Sequence, residues 1–407
     1  MKNKISSVVE SSYRAFYGKL FSALFSQFGA NYVSEIEDAI QNSFYKSLKS
    51  WNPNQVPGNK ENWLFIVARN DVLNQIKKDS RLQSQSDLKT KVEAENPKED
   101  LRLKTILFLS KSKKVSSKVK VIFVLKNIFG LHIKEISECT LLSQDAIYKS
   151  INRAKKDFRQ STKDANFDLT FEQIADKEIE IVEEILYAVF NIGFDSFNEK
   201  TNSIINEDLC LEALSLSKIL SDKFQRVTTK NLLALFCFHL ARIPAKIKND
   251  KIISFFEQDK TNWNYDFVKL GFHYMENPEK LNKYYIEALI ASKHMTATKN
   301  DIEHWNEIIK LYQLLISVSN SPITKLNLCY CLIKVQRIEE AKELLKIVEN
   351  ELPDEHIYLS LVKANIFSNK QTMESKKIIN QVLKNINQKI RREYILENMP
   401  TDLWIEH

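Results

Sequence analysis

The sequence predicts an all-α protein. Only 6 glycines and 8 prolines punctuate its 407 residues, too few for the tight turns of a sandwich, a barrel or a doubly wound sheet. Apolar residues recur at helical spacing along most of the chain. At 43% of the sequence they are enough for more than one core, and the length suggests two or three units at roughly 100–200 residues each.

Taken in order, residues 5–78 read as helices. Val8, Val9, Tyr13, Phe16, Leu20, Leu24 and Phe28 form one apolar stripe, and Ile36, Ala39, Ile40, Phe44 and Leu48 form a second. The segment WNPNQVPGNKEN (51–62) breaks the pattern with two prolines and a glycine, and Asn62 is placed to cap the helix that carries WLFIVARNDVLNQIKK (63–78). Residues 79–100 hold few apolar side chains and no sustained period, which marks a linker. Residues 101–160 turn helical again, and Val119 to Arg159 reads as a helix-turn-helix. An apolar helix VIFVLKNIF ends at Gly130-Leu131; a short helix HIKEISEC, a turn at TLLS and a helix QDAIYKSINRAKKDFR follow. Ser143 is placed to cap the last helix, whose buried stripe is Ala146, Ile147, Ile151, Ala154 and Phe158. Its opposite face carries Gln144, Asp145, Tyr148, Lys149, Asn152, Arg153, Lys155 and Lys156, the amides, guanidinium and ammonium groups that reading a major groove requires. From residue 168 to the end the chain is a run of amphipathic helices. Leu328, Ala341 and Leu345 recur as Leu361, Ser375 and Ile379, 33 or 34 residues on. That period belongs to tetratricopeptide-like helix pairs, here in degenerate form.

Charge divides the chain in the same way. Residues 1–165 hold 29 Lys and Arg against 17 Asp and Glu, and the remainder 30 against 35, so a +12 front precedes a −5 back. The front is suited to a polyanion, because phosphate neutralisation supplies most sequence-independent nucleic-acid affinity. The five cysteines, Cys139, Cys210, Cys237, Cys329 and Cys331, sit mainly in apolar runs and read as reduced and buried. Cys329 and Cys331 have no histidine at ligand spacing, so no metal site is expected, and no cofactor. The longest apolar stretch, Leu232 to Leu240, is interrupted by His239 and falls far short of the ~20 residues a bilayer demands. A cytoplasmic protein without a membrane segment is expected. There is no glycine-rich phosphate loop, paired metal ligands or nucleophile motif, so the chain reads as a binding protein rather than an enzyme, with no catalytic residue.

The block SEIEDAIQNSFYKSLKSW (34–51) with WLFIVARNDVLNQIKK resembles region two of bacterial sigma factors, and KVIFVLKNIFGLHIKEISECTLLSQDAIYKSINRAKKDFR (120–159) resembles region four. ILYAVFNIGF (185–194), LALFCFHLARIPAK (233–246), FFEQDKTNW (255–263), YYIEALIASKH (284–294) and SPITKLNLCYCL (321–332) resemble landmarks of the helical extension of one extracytoplasmic-function sigma group. The resemblance implies four parts: region two over 5–78, a linker over 79–100, region four over 101–160 and a tetratricopeptide-like regulatory domain over 168–407. It implies core RNA polymerase and promoter DNA as partners, with a regulatory protein or ligand at the C-terminal domain. Glu37, Asp38, Gln41, Asn42 and Phe44 would dock on core polymerase. Arg69, Asn70, Asn74, Lys77 and Lys78 would contact the minus-ten element, with a flipped base read by Asn52, Asn54, Gln55, Asn59 and Asn62. Gln144, Tyr148, Lys149, Asn152, Arg153 and Lys156 would read the minus-35 element. Three departures stand out: Asn74 replaces a common aspartate, Lys77 and Lys78 replace arginines at the cost of a bidentate fork, and LSKSKKV (109–115) replaces a Cys-His-Pro stretch. The residues also admit a one-component regulator, in which the helix-turn-helix binds an operator and the helical domain senses a ligand. In the extension, Asn191, Arg242, Gln258, Asp259, Trp263 and Asn327 are polar residues within apolar landmarks, and hydrogen bonding between helices is their simplest expected role.

Overall fold

A computed structural model describes residues 2–52, 56–82, 99–140, 142–161, 174–196, 203–297, 301–354, 356–367 and 372–398. Among them are nineteen α-helices, three short 3-10 turns and one two-stranded hairpin, so the protein is all-α. The chain divides into two compact units, Met1–Val189 and Phe190–His407.

The first unit contains α1 (Lys2–Phe28), α2 (Val33–Ser50), α3 (Lys60–Leu82), α4 (Arg102–Ser110), α5 (Ser117–Asn127), α6 (Ile133–Thr140), α7 (Gln144–Ser161) and most of α8 (Asp176–Phe194). α1 is central, and its burial corrects the single stripe expected from its spacing. Tyr17, Phe21 and Phe25 are fully buried alongside Leu20 and Leu24, whereas Phe16 and Phe28 are half-buried. One face packs on α2 and α3, and the 17-21-25 face packs on α4 and α5. Phe21 meets Phe123 edge-on at 6.3 Å, and Phe25 meets Phe108 at 5.9 Å. Gly18 is what allows this approach, since a Cβ there would lie 1.7 Å from the carbonyl oxygen of Ile128. Residues 5–78 and 101–160 therefore share one core. A helix needs apolar residues around more than one stripe when it is covered on two sides.

Asn59 rather than Asn62 caps α3, its side chain accepting the Asn62 N–H at 2.9 Å, so the helix begins earlier than the apolar period indicates. In the linker expected over 79–100, α3 runs on to Leu82, and residues 83–98 lie outside the described residues, as do Asn54 and Gln55 of the loop before α3.

The second unit begins in the last turn of α8 and continues through α9 (Glu207–Phe224), α10 (Val227–Ala241), α11 (Ile243–Lys246), the hairpin β1 (Ile247–Lys248) with β2 (Lys251–Ile252), α12 (Tyr265–Tyr274), α13 (Lys283–Thr296), α14 (Ile302–Val318), α15 (Pro322–Lys334), α16 (Ile338–Glu349), α17 (Ile357–Phe367), α18 (Thr372–Asn385) and α19 (Lys389–Asn398). α10 is its buried axis, with Leu232 to Phe238 all inaccessible because neighbours cover it on every side. Phe190 stacks on Phe236 at 4.0 Å, and Phe238 lies against Gly271 of α12. Asn249 and Asp250 both adopt positive φ, at 51° and 57°, as the tight turn of a two-residue hairpin requires.

α15 packs on α16 and α17 on α18, and the repeat read from sequence falls where these pairs touch. Ala341 is buried with its carbonyl 3.5 Å from Cys329 Sγ; its counterpart Ser375 is equally buried and donates its hydroxyl to Ala364 O at 3.1 Å.

Cys210, Cys237, Cys329 and Cys331 are free and buried, and burial pushes each thiol up to about 12. The side chain of Cys139 lies outside the described residues. No helix among the described residues is long and apolar enough to cross a membrane.

Candidate nucleic-acid interface

The turn before α6 is set by Gly130, whose φ of +64° suits glycine and whose missing side chain leaves room for Tyr17, 3.3 Å from where a Cβ would sit. The N-terminus of α6 is closed by Glu135, which accepts the His132 N–H at 2.8 Å. α7 is capped as expected: the Ser143 hydroxyl accepts the Ala146 N–H at 3.2 Å. Ile147, Ile151, Ala154 and Phe158 are buried, with Phe158 edge-on to Phe123 at 5.0 Å, while Ala146 is only half-buried.

That inward anchoring leaves Gln144, Asp145, Tyr148, Lys149, Asn152, Arg153 and Lys156 on one exposed face of α7. Tyr148 is 54% exposed, an aromatic ring held in water. The Arg153 guanidinium reaches Asp157 at 3.6 Å, a loose i,i+4 pair that leaves it available.

Lys155 departs from this face. Its side chain is mostly buried and forms an ion pair with Glu37 of α2, and one turn later Arg159 lies 3.4 Å from Glu35. A cleft of about 400 Å³ runs beside these pairs, lined by Ser34, Asn152, Lys155, Lys156, Arg159 and Gln160. Burial raises the Glu37 carboxyl above its ordinary range, opposed by Lys155 and Lys126. The same surroundings push Tyr13 up to about 12, through burial and the nearby Glu37 charge.

The α2 residues named for polymerase docking thus separate into three environments. Asp38 and Gln41 are exposed. Asn42 is exposed at the α3 boundary, its amide donating to Asp71 at 2.9 Å. Glu37 is engaged by Lys155, and Phe44 is a core residue, 5% exposed and 5.0 Å from the Tyr13 ring. On α3, Asn70, Asn74, Lys77 and Lys78 are all exposed, at spacings that share one helix face, whereas Arg69 is half-buried. Phe65 belongs to the core, and Trp63 packs edge-on against Trp51 at 5.4 Å.

The sequence reading missed Glu35 and Arg159 and set Lys155 among the outward residues. The available signal was its position beside Ala154 and four residues after Ile151, at the margin of the buried stripe.

In the second unit, the Arg242 Nε donates to Gln258 Oε1 at 3.4 Å and Gln258 donates on to Ile253 O at 3.2 Å, the expected bonding between segments. Asn327 hydrogen-bonds Tyr312. Asp259 is instead an exposed cap, accepting from Thr261 N at 3.0 Å, and Asn191 is exposed. Trp263 is buried.

Residues 178–278 match a family of unknown function, DUF6596. An uncharacterized protein of Rhizobium meliloti (strain 1021) is 24% identical over 343 residues, covering 80% of either chain. No solved structure matches the chain.

Proposed function

We propose that this protein is a sigma factor of the extracytoplasmic-function type, a cytoplasmic protein that binds core RNA polymerase and directs initiation at promoters. In this reading the second unit is a tetratricopeptide-like domain that modulates its activity. The observation that carries the reading is the occurrence, within one basic unit, of two separate exposed faces suited to DNA. One is the α7 set of Gln144, Tyr148, Lys149, Asn152, Arg153 and Lys156, and the other is the α3 set of Asn70, Asn74, Lys77 and Lys78. A single operator-binding module needs only the first, while a factor that holds two promoter elements needs both. Lysines at 77, 78, 149 and 156 supply phosphate contacts; the amides and Arg153 supply base-edge contacts. Asp38 and Gln41 offer a polar face on α2 for the polymerase. The chain itself performs no bond chemistry here, since initiation is catalysed by the polymerase.

Run-off transcription with purified core polymerase tests the proposal, on a template carrying the region upstream of the protein's own gene. Transcripts that require both core and this chain support it. DNA binding with unaltered affinity in the absence of core, and no transcript with it, would instead identify a one-component regulator.

A further inference from the structure

The second unit contains basic side chains that the transcription reading does not use. His239, Arg242 and Lys246 fall at i, i+3 and i+7 across the end of α10 and α11, which brings them to one side of the chain. All three are half-buried. The Arg242 guanidinium carbon lies 4.0 Å from the centre of the Phe255 ring, and the Lys246 ammonium lies 3.7 Å from that of Phe194. His239 stands 4.8 Å from the same Phe194 ring. Aromatic faces hold the two cations in place without neutralising them.

The charge around them does not balance. Arg391 of α19 adds a third cation, close enough for Lys246 to feel both it and Arg242. The carboxylate in the group is Asp195, and it is already occupied. It accepts from Arg391 at 2.7 Å and from the Tyr358 hydroxyl. Three cations and one carboxylate leave an excess of two positive charges. Among the described residues, neither Arg242 nor Lys246 forms an ion pair with a carboxylate. Arg242 uses its Nε toward Gln258, leaving both terminal nitrogens, and Lys246 donates to the Phe194 carbonyl, leaving two further N–H groups. His239 Nδ1 is buried without a partner.

Charge withdrawn from water without a counter-ion is costly. Burial accordingly lowers Lys246 to about 8 and Arg242 to about 9. We propose that His239, Arg242 and Lys246 form a binding site for a small dianionic oxyanion, a phosphate or phosphate ester. Its oxygens would take the spare N–H groups of Arg242 and Lys246, with His239 donating from Nδ1. A dianion matches the excess of two charges, and a planar guanidinium beside a compact ammonium suits tetrahedral oxygens. All three residues lie inside the segment that matches the family of unknown function. The site stands or falls independently of the role in transcription.

Calorimetric titration of the full chain with inorganic phosphate, at constant ionic strength balanced by sodium chloride, tests the proposal, with succinate as a parallel dianion. Saturable one-site binding of phosphate is expected. Arg242→Gln and Lys246→Met should each weaken it about tenfold or more, the loss expected for a charge-assisted contact, while Lys246→Arg retains it. Sulfate, whose own charge is constant, should bind progressively more weakly from pH 7 to pH 9 as Lys246 loses its proton. Succinate binding with phosphate inert would overturn the phosphate assignment, and no saturable binding of either would overturn the site. Wild-type affinity in both charge-removing variants would also overturn it. Should Lys246→Met fail to fold, as read by circular dichroism, Arg242→Gln decides: phosphate affinity unchanged in that variant refutes the proposal.

Discussion

Replacing Gly18 by alanine tests whether the first unit has one core. The added Cβ would sit 1.7 Å from Ile128 O, and real contacts of this kind essentially never fall under 3.0 Å, so α1 and the end of α5 must separate by more than 1 Å. The atom met is backbone, and no side-chain rotation relieves it. Overpacking costs about 1–3 kcal/mol, with a carbonyl contact at the upper end. Alanine recovers about 1 kcal/mol through helix propensity. The net is a destabilisation of about 2 kcal/mol, or roughly a thirtyfold rise in the open population. Hydrogen exchange read by mass spectrometry on the full chain locates the loss. Protection should fall in peptides from both α2–α3 and α5–α7, because α1 packs on α2 and α3 while its Phe21 and Phe25 meet Phe123 of α5 and Phe108 of α4. Loss confined to α1, with α5–α7 protected as before, would refute the shared core.

Lys149→Ala with Arg153→Ala should weaken promoter binding by about 1–3 kcal/mol wherever either contacts a base edge, and shallow the salt dependence where the contact is to phosphate; filter binding across a salt series distinguishes these, and unchanged binding on every template would remove α7 as the reading helix. Lys155→Glu should destabilise the first unit in thermal unfolding, since it places a third acid beside Glu35 and Glu37, and adding Glu37→Lys should restore most of the loss; a double variant no better than the single would show that the pair contributes nothing. Acid should selectively weaken the second unit. Burial lowers His239 and His294 from 6.5 to about 3, so the unfolded chain takes up protons first. Stability is then complete above pH 6.5 and lost progressively toward pH 3, at up to about 1.4 kcal/mol per histidine per pH unit. Denaturation curves that coincide at pH 7.0 and pH 5.5 would contradict this.

What was legible in the sequence was whatever depends on neighbours along the chain. The all-helical class, the Gly130 turn, the Ser143 cap, the outward set on α7 apart from Lys155, and the 33–34-residue repeat all rest on contacts between residues three or four apart, or on a periodicity such contacts impose. The cap of α3 is a local signal that misled: Asn62 was expected there, and Asn59 takes the place, its side chain accepting the Asn62 N–H. Contacts between distant segments left no such trace. The pairing of Lys155 with Glu37 joins residues 118 apart, and that of Arg391 with Asp195 joins residues 196 apart. A lysine in sequence looks the same whether it faces water, a phosphate or a buried glutamate. Phe44 and the 17-21-25 face of α1 show the same limit for apolar residues. The stripe that holds Phe44 does not say what covers it, and the stripe read on α1 leaves out Tyr17, Phe21 and Phe25 altogether, because only the packing of α1 between α2–α3 and α4–α5 covers a second face. The excess charge at Arg242 and Lys246 is likewise a property of the folded chain, because it depends on which carboxylates the fold brings near and which it leaves elsewhere.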